Sequence, residues 1–184
     1  MQKRRKPKAK KKPLQKRRPV GQQPSFQSLF KRGTEMLQRG RIQQSVDYLE
    51  QAHALDSTHF DAALNLSGAY ILSKKFKQAA ALLELFVEEH EHHAMLWTNL
   101  GAAYLGNPIL AKDADQLKAI AAFERAIEAN PIAPNVAYNI GLIYNDRKNA
   151  QQAIYWFEKA IQANPNDKDA RNYLEKLREE VEHS

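Results

Sequence analysis

The sequence predicts an all-α protein, an α-solenoid of stacked helix pairs preceded by a disordered basic tail. Three observations lead to this prediction. Small and aromatic residues recur at a regular interval, as at Ser67 and Gly101. Within each interval the apolar residues follow the three-to-four-residue spacing of amphipathic helices. The segment 1–24 contains almost nothing that a core could bury.

The tail is the most strongly charged part of the chain. Residues 1–18 hold eleven Lys and Arg and no acid, so the other residues carry 17 basic against 21 acidic side chains, a net charge of −4. Like charges repel, and Pro7, Pro13, Pro19 and Pro24 oppose helix propagation. We therefore expect residues 1–24 to be disordered and the folded domain, residues 25–184, to begin at Ser25 as a helix N-cap.

Four repeat units follow the tail. A small residue marks the same place in each unit, and a large one follows three residues later: Gly33, Ser67, Gly101 and Gly141, with Met36, Tyr70, Tyr104 and Tyr144. Each unit reads as two short helices, and small residues let their axes approach closely. One such pair cannot bury its apolar face alone, so the units must stack. The predicted units are 26–59, 60–93, 94–133 and 134–167, followed by a polar capping helix, 168–182.

The third unit carries the clearest motif. It contains, in order, Trp97, Leu100, Gly101, Tyr104, Ala119, Phe123, Ala126 and Pro131. This pattern resembles the tetratricopeptide repeat (TPR), a family of helix–turn–helix units with a period of about 34 residues. The fourth unit matches nearly as well; the first departs from the pattern at Arg32, and the second has Phe86 where a small residue is usual. The resemblance implies a right-handed α-solenoid whose first helices line a concave groove that holds a peptide or helix of a partner protein.

Counting along each unit as the family does assigns the groove residues. The sixth position gives a ladder of Asn65, Asn99 and Asn139, whose amides can donate to and accept from a peptide backbone. An alternative is that these asparagines only make local hydrogen bonds. The other groove positions are mostly apolar: Phe30, Leu64, Ile71, Met95, Leu105, Tyr138 and Leu142. They favour a ligand with apolar anchors, unless neighbouring units or the capping helix cover them.

One subtype of the family is not expected. Its co-chaperone domains grip the acidic tails of chaperones with a clamp of Lys, Arg and Asn. The equivalent positions here hold asparagines and neutral residues such as Phe30, Thr34 and Met95. Without cations a terminal carboxylate has no charged partner, so we predict no chaperone-tail binding.

The basic tail suggests a second function. Its side chains can neutralise phosphates in a salt-dependent, sequence-independent way, which suits RNA, a ribosome or DNA. Another anionic partner, or a solubilising role without a ligand, remains open. The cations are Lys3, Arg4, Arg5, Lys6, Lys8, Lys10, Lys11, Lys12, Lys16, Arg17 and Arg18.

Other functional classes find no support in the sequence. There are no cysteines, so disulfides and thiolate metal sites are excluded. His90, Glu91, His92 and His93 lack the spacing of a metal site, and we expect a solvated turn there. No catalytic constellation and no cofactor motif is present, so we predict a non-catalytic protein. The sequence has no apolar run long enough to span a membrane, and the expected location is cytoplasmic, or nuclear in a eukaryote.

The repeat period is broken once. Six extra residues fall between Tyr104 and Ala119, near Gly106–Gln116. Gly106, Asn107 and Pro108 should end one helix, and Asp113 is the expected N-cap of the next. Insertions in repeats map to loops that can be functional, but long loops are also tolerated at little cost. The sequence does not choose between these readings.

Overall fold

The computed structural model describes residues 24–183, and in that range it contains α-helices and no strands. The helices are α1 (Phe26–Gln38), α2 (Ile42–Leu55), α3 (Phe60–Leu72), α4 (Phe76–Glu84), α5 (Ala94–Leu105), α6 (Asp113–Ala129), α7 (Val136–Asp146), α8 (Ala150–Ala163) and α9 (Lys168–Glu182). Consecutive helices pack against each other, and α3 also contacts α1 and α5. The predicted all-α solenoid of helix pairs is confirmed.

Local signals fix where these helices begin. Ser25 caps α1, as predicted, because its hydroxyl accepts from the Ser28 N–H at 3.3 Å. His59 and His93, at equivalent places in successive units, do the same for α3 and α5 through Nδ1, at 3.3 Å from the N–H groups of Ala62 and Leu96. Each cap satisfies a backbone donor that the first helical turn leaves unpaired.

The same turn ends three of the first helices. Gly40, Lys74 and Lys148 have left-handed backbones, with φ of 69°, 61° and 59°. In each case the next residue donates its N–H to a carbonyl five residues earlier, as in the bond from Lys75 to Tyr70 at 2.8 Å. This Schellman arrangement reverses the chain within a few residues. The second helix of these three units is thereby folded back onto the first.

Close approach of the paired helices depends on the small residues. A Cβ added to Gly101 would lie 2.6 Å from the ring of Phe123, and one added to Gly141 would lie 2.8 Å from Phe157. Both rings are fully buried. Gly33 stands in the same relation to Leu49, so one repeating contact holds three of the four pairs together.

Two apolar clusters form the core and run into each other. Trp97 and Tyr104 pack against both, so the buried interior continues from the first units to the last. Tyrosines add hydrogen bonds between units. Tyr70 donates to Glu50 and Tyr104 donates to Glu84, each at 2.9 Å.

Two helices depart from the regular pattern. The helix α4 ends at Glu84, and Phe86, which is buried just beyond it, packs on Phe60 with ring centroids 5.7 Å apart. The last helix, α9, buries Ala170 and Leu177 and leaves most of its charged side chains in solvent. None of the helices in residues 24–183 is long and apolar enough to cross a membrane.

Candidate protein-binding surface

Two asparagines of the predicted ladder bind the preceding unit. The Asn65 amide donates to the Thr34 hydroxyl at 3.0 Å, and the Asn99 amide donates to the Ser67 hydroxyl at 3.2 Å. Each hydroxyl in turn donates to a backbone carbonyl of its own helix. These amides therefore brace neighbouring units, and each retains one N–H and its oxygen for other contacts.

Asn139 differs from the other two. The matching places in the unit before it hold Gly101 and Ala102, which have no hydroxyl to offer. Its side chain makes no hydrogen bond to any other residue in the described part of the chain, and it lies on the wall of a surface cavity. Both N–H groups and the oxygen of this amide are therefore available to hydrogen-bond a ligand.

The apolar residues assigned to the groove fall into different environments. Leu64 is only 7% exposed and belongs to the core, which is the alternative that the sequence left open for the apolar groove positions. It faces the neighbouring unit because consecutive first helices are in contact. Phe30 and Ile71 are half-buried, and Met95 is exposed. The ring of Phe30 lies against Phe26 and His59, with centroids 5.8 Å and 5.4 Å away.

Tyr138 is partly covered from the C-terminal side. Its ring packs against Phe157 and against Tyr173 of α9, with centroids 5.7 Å and 6.3 Å away. Burial raises the pKa of the Tyr138 phenol, and the negative charges of Asp167 and Asp169 contribute. The last helix thus occupies part of the surface that the fourth unit would otherwise present.

The remaining predicted groove residues lie beside the inserted loop. Leu105, Asn139 and Leu142 share one cavity of about 210 Å³ with Pro108 and Ile109 of the inserted loop. We call this cavity the insertion pocket. Ile143 completes its apolar wall, and Gln116 and Asp146 supply its polar edge. The loop beside it exposes large aliphatic side chains: Ile109 is 92% accessible and Leu110 is 76% accessible. Exposed aliphatic side chains grouped in this way are typical of an interaction site.

A polar network fixes the insertion to the fourth unit. Asp113 pairs with Arg147, which also donates to Gln116 at 3.2 Å, and Gln116 donates to Asp146 at 2.7 Å. Gln116 is buried and uses both ends of its amide. The first turn of α6 is thereby held against the end of α7, so the pocket is built into the fold.

This network corrects one detail of the sequence prediction. The N-cap of α6 is Lys112 and not Asp113, which is the first helical residue. An acid is stabilising there because the N-terminus of a helix carries a partial positive charge, and its carboxylate is taken up by Arg147. The predicted end of α5 is confirmed, with Gly106 at φ 59° directly after Leu105.

The histidine-rich turn serves structure. His93 caps α5, and the His90 ring stacks on Phe60 with centroids 3.7 Å apart. Glu91, His92 and His93 are exposed, as expected for a solvated turn, whereas His90 is half-buried against Phe60. Within residues 24–183, no group of three or more His, Cys, Asp or Glu is placed to hold a metal ion. The eleven tail cations lie outside the described residues.

The fold defines a class of protein: a solenoid of helical repeats. Two family models described as tetratricopeptide repeat match residues 36–105 and 115–168, together more than half of the 184 residues. The chain belongs to the tetratricopeptide-repeat family. No curated protein matches it.

Solved structures agree on the fold. MamA of Desulfovibrio magneticus RS-1, from residue 41 to its end, has a TM-score of 0.69 and 21% identity, covering 79% of this chain and 78% of that one. A thermophilic TPR protein of Thermus thermophilus has a TM-score of 0.69 and 17% identity, with 85% and 83% covered. The APC/C hetero-tetramer Cut9–Hcn1 has a TM-score of 0.71 and 21% identity, with 84% of this chain and 30% of that chain covered.

Proposed function

We propose that this protein is a non-catalytic adaptor that binds a segment of another protein along the first-helix face. The observation that carries the proposal is the insertion pocket, where predicted groove residues meet the exposed aliphatic side chains of the inserted loop. A cavity lined by Leu105, Leu142 and Ile143 suits one aliphatic side chain of a partner.

Asn139 gives the proposed site its polar contact. Its amide can donate to a carbonyl and accept from an N–H of the same peptide unit, so it can hold a partner backbone while the pocket takes a side chain. Asn65 and Asn99 add their remaining donors along the same face. Binding through apolar contact and backbone hydrogen bonds should survive high salt, whereas binding through the tail cations should not.

The test is affinity capture from native lysate with the full chain, at low and high salt and with and without nuclease. The captured protein is then purified and its affinity measured against two variants. Ile109→Ser removes an aliphatic side chain from the pocket, and Leu85→Ser removes one that is 75% exposed at the end of α4. The proposal expects loss of affinity with Ile109→Ser alone. Equal affinity for both variants would refute the pocket, and recovery that vanishes with salt and nuclease would place the function in the tail.

Asn139 provides a second test. Asn139→Ala should weaken the captured partner by about 1–2 kcal/mol, the scale of a lost hydrogen bond in a shielded site. It should leave thermal stability unchanged, because the amide has no partner within the described chain. Asn99→Ala should lower the melting temperature as well, because it breaks the bond to Ser67. A melting temperature that falls equally in both variants would contradict this assignment.

A further inference from the structure

Charge is divided unevenly along this chain. Residues 1–18 hold 11 of the 28 basic residues and none of the 21 acidic residues, a net charge of +11. The other residues hold the remaining 17 basic and all 21 acidic residues, a net charge of −4. The N-terminal segment is therefore attracted to the rest of its own protein, and attachment to the same chain keeps it at high effective concentration there.

The insertion pocket has the chemistry to receive part of that segment. Its wall is aliphatic, Asn139 offers a free amide, and Asp146 stands at the edge. Asp146 accepts from the neutral Gln116 amide and, among the described residues, pairs with no cation. A ligand with one aliphatic side chain between basic residues would satisfy all three features.

The tail contains such a segment once. Leu14 follows Pro13 and lies between Lys12 and Lys16, in a stretch that has no acid. Val20 is the only other sizeable apolar residue after Met1 in residues 1–23, and it stands too close to α1 to reach the pocket.

The chain is just long enough for this contact. Ten residues from Leu14 to Pro24 span at most about 33–36 Å. Packed helices lie about 8–10 Å apart, so two to three steps from α1 through α3 to α5 and α7 cover about 16–30 Å. Leu105 of the pocket wall is the last residue of α5, about 17 Å along the helix axis from its first residue. Combining the two displacements gives about 23–34 Å on these spacings, within the reach of an extended segment.

We propose that Leu14 of the tail docks in the insertion pocket of the same molecule, with a neighbouring Lys or Arg at Asp146, and blocks the site until a partner displaces it. The inference rests on the proposed function, since it regulates the same surface. A tail that occupies the pocket nine-tenths of the time lowers the apparent affinity for a partner by about tenfold.

The absence of cysteine permits a direct test on the full chain. Gln15→Cys places a single thiol beside Leu14 without changing the charge, and it is modified with a nitroxide spin label. The measurement is paramagnetic broadening of backbone amide signals by NMR. We expect broadening at Ile109, Asn139 and Leu142 that does not depend on protein concentration.

Three further variants of the labelled chain decide the outcome. Ile109→Ser should abolish the broadening, whereas Leu85→Ser should keep it. Deleting residues 19–23 leaves all eleven tail cations in place but shortens the reach of Leu14 to about 17–18 Å, so the broadening should disappear.

Several results would overturn the inference. The first is the absence of broadening near the pocket. The second is broadening that survives the deletion, which would reflect charge alone. The third is broadening that grows with protein concentration, which would mean that a second copy donates the tail. Failure of the proposed function is seen separately. If a captured partner depends on Ile109 but the labelled chain shows no broadening, only the tail contact is refuted. If the broadening is seen but no partner depends on Ile109, only the adaptor role is refuted.

Discussion

Gly101→Ala is the sharpest test of how the helix pairs are held together. A Cβ at this position would lie 2.6 Å from Cδ1 and Cε1 of Phe123 and 2.9 Å from its Cγ. Ordinary contact begins at 3.4 Å, so the ring would have to move by several tenths of an ångström. Phe123 is 1% exposed, and a packed interior does not yield that distance freely.

The magnitude follows from two opposing effects. Overpacking of a core costs about 1–3 kcal/mol, while replacing Gly by Ala inside a helix gains about 1 kcal/mol. Gly68→Ala isolates the second effect, because a Cβ there would meet only the Asn99 amide, at 3.9 Å. We therefore expect Gly68→Ala to stabilise the protein by about 1 kcal/mol, and Gly101→Ala to be less stable than it by about 1–3 kcal/mol.

The assay is urea unfolding followed by far-UV circular dichroism, comparing the free energies of unfolding of the two variants. A double-mutant cycle adds Phe123→Leu, which opens space above position 101 and should recover part of the loss from Gly101→Ala. If Gly101→Ala proves as stable as Gly68→Ala, or the cycle shows no coupling, close approach at the small residues does not hold the pairs together.

Two further predictions concern stability. Burial, followed by the hydrogen bonds to Glu50 and Glu84, raises the pKa values of Tyr70 and Tyr104 to about 12 from an ordinary 10.0. The folded state thus favours the neutral phenols. The stability that these phenols contribute should be lost as pH rises from 10 to 12. The melting temperature should therefore fall less across that pH range in the double variant Tyr70→Phe, Tyr104→Phe than in the unchanged protein. Lys148→Gly should raise the melting temperature, because a left-handed backbone costs a non-Gly residue about 1–2 kcal/mol. The greater backbone entropy of Gly in the unfolded chain offsets part of this gain. A lower melting temperature in the variant would contradict this prediction.

The sequence predicts those features of this protein that repeat. The recurring pair of a small residue and an aromatic, such as Gly101 and Phe123, determines that helices approach in pairs and stack. Period and residue size are local quantities, and they can be read directly along the chain. The helix start at Ser25 and the helix end at Gly106 are predictable for the same reason, because capping depends on a few neighbouring residues.

The tertiary structure alone decided which of these residues lie together on the surface. Leu64 and Leu142 are both assigned to the groove by the repeat pattern, yet one is buried in the core and the other lines a pocket with Ile109. Asn65 and Asn139 likewise differ because the preceding unit offers the Thr34 hydroxyl to one and only Gly101 and Ala102 to the other. Such differences arise from contacts between units that are distant in the sequence, and they depend on how the solenoid stacks and on where the inserted loop folds back. No local pattern contains that information, because the same residue type at the same repeat position meets a different neighbour in each unit.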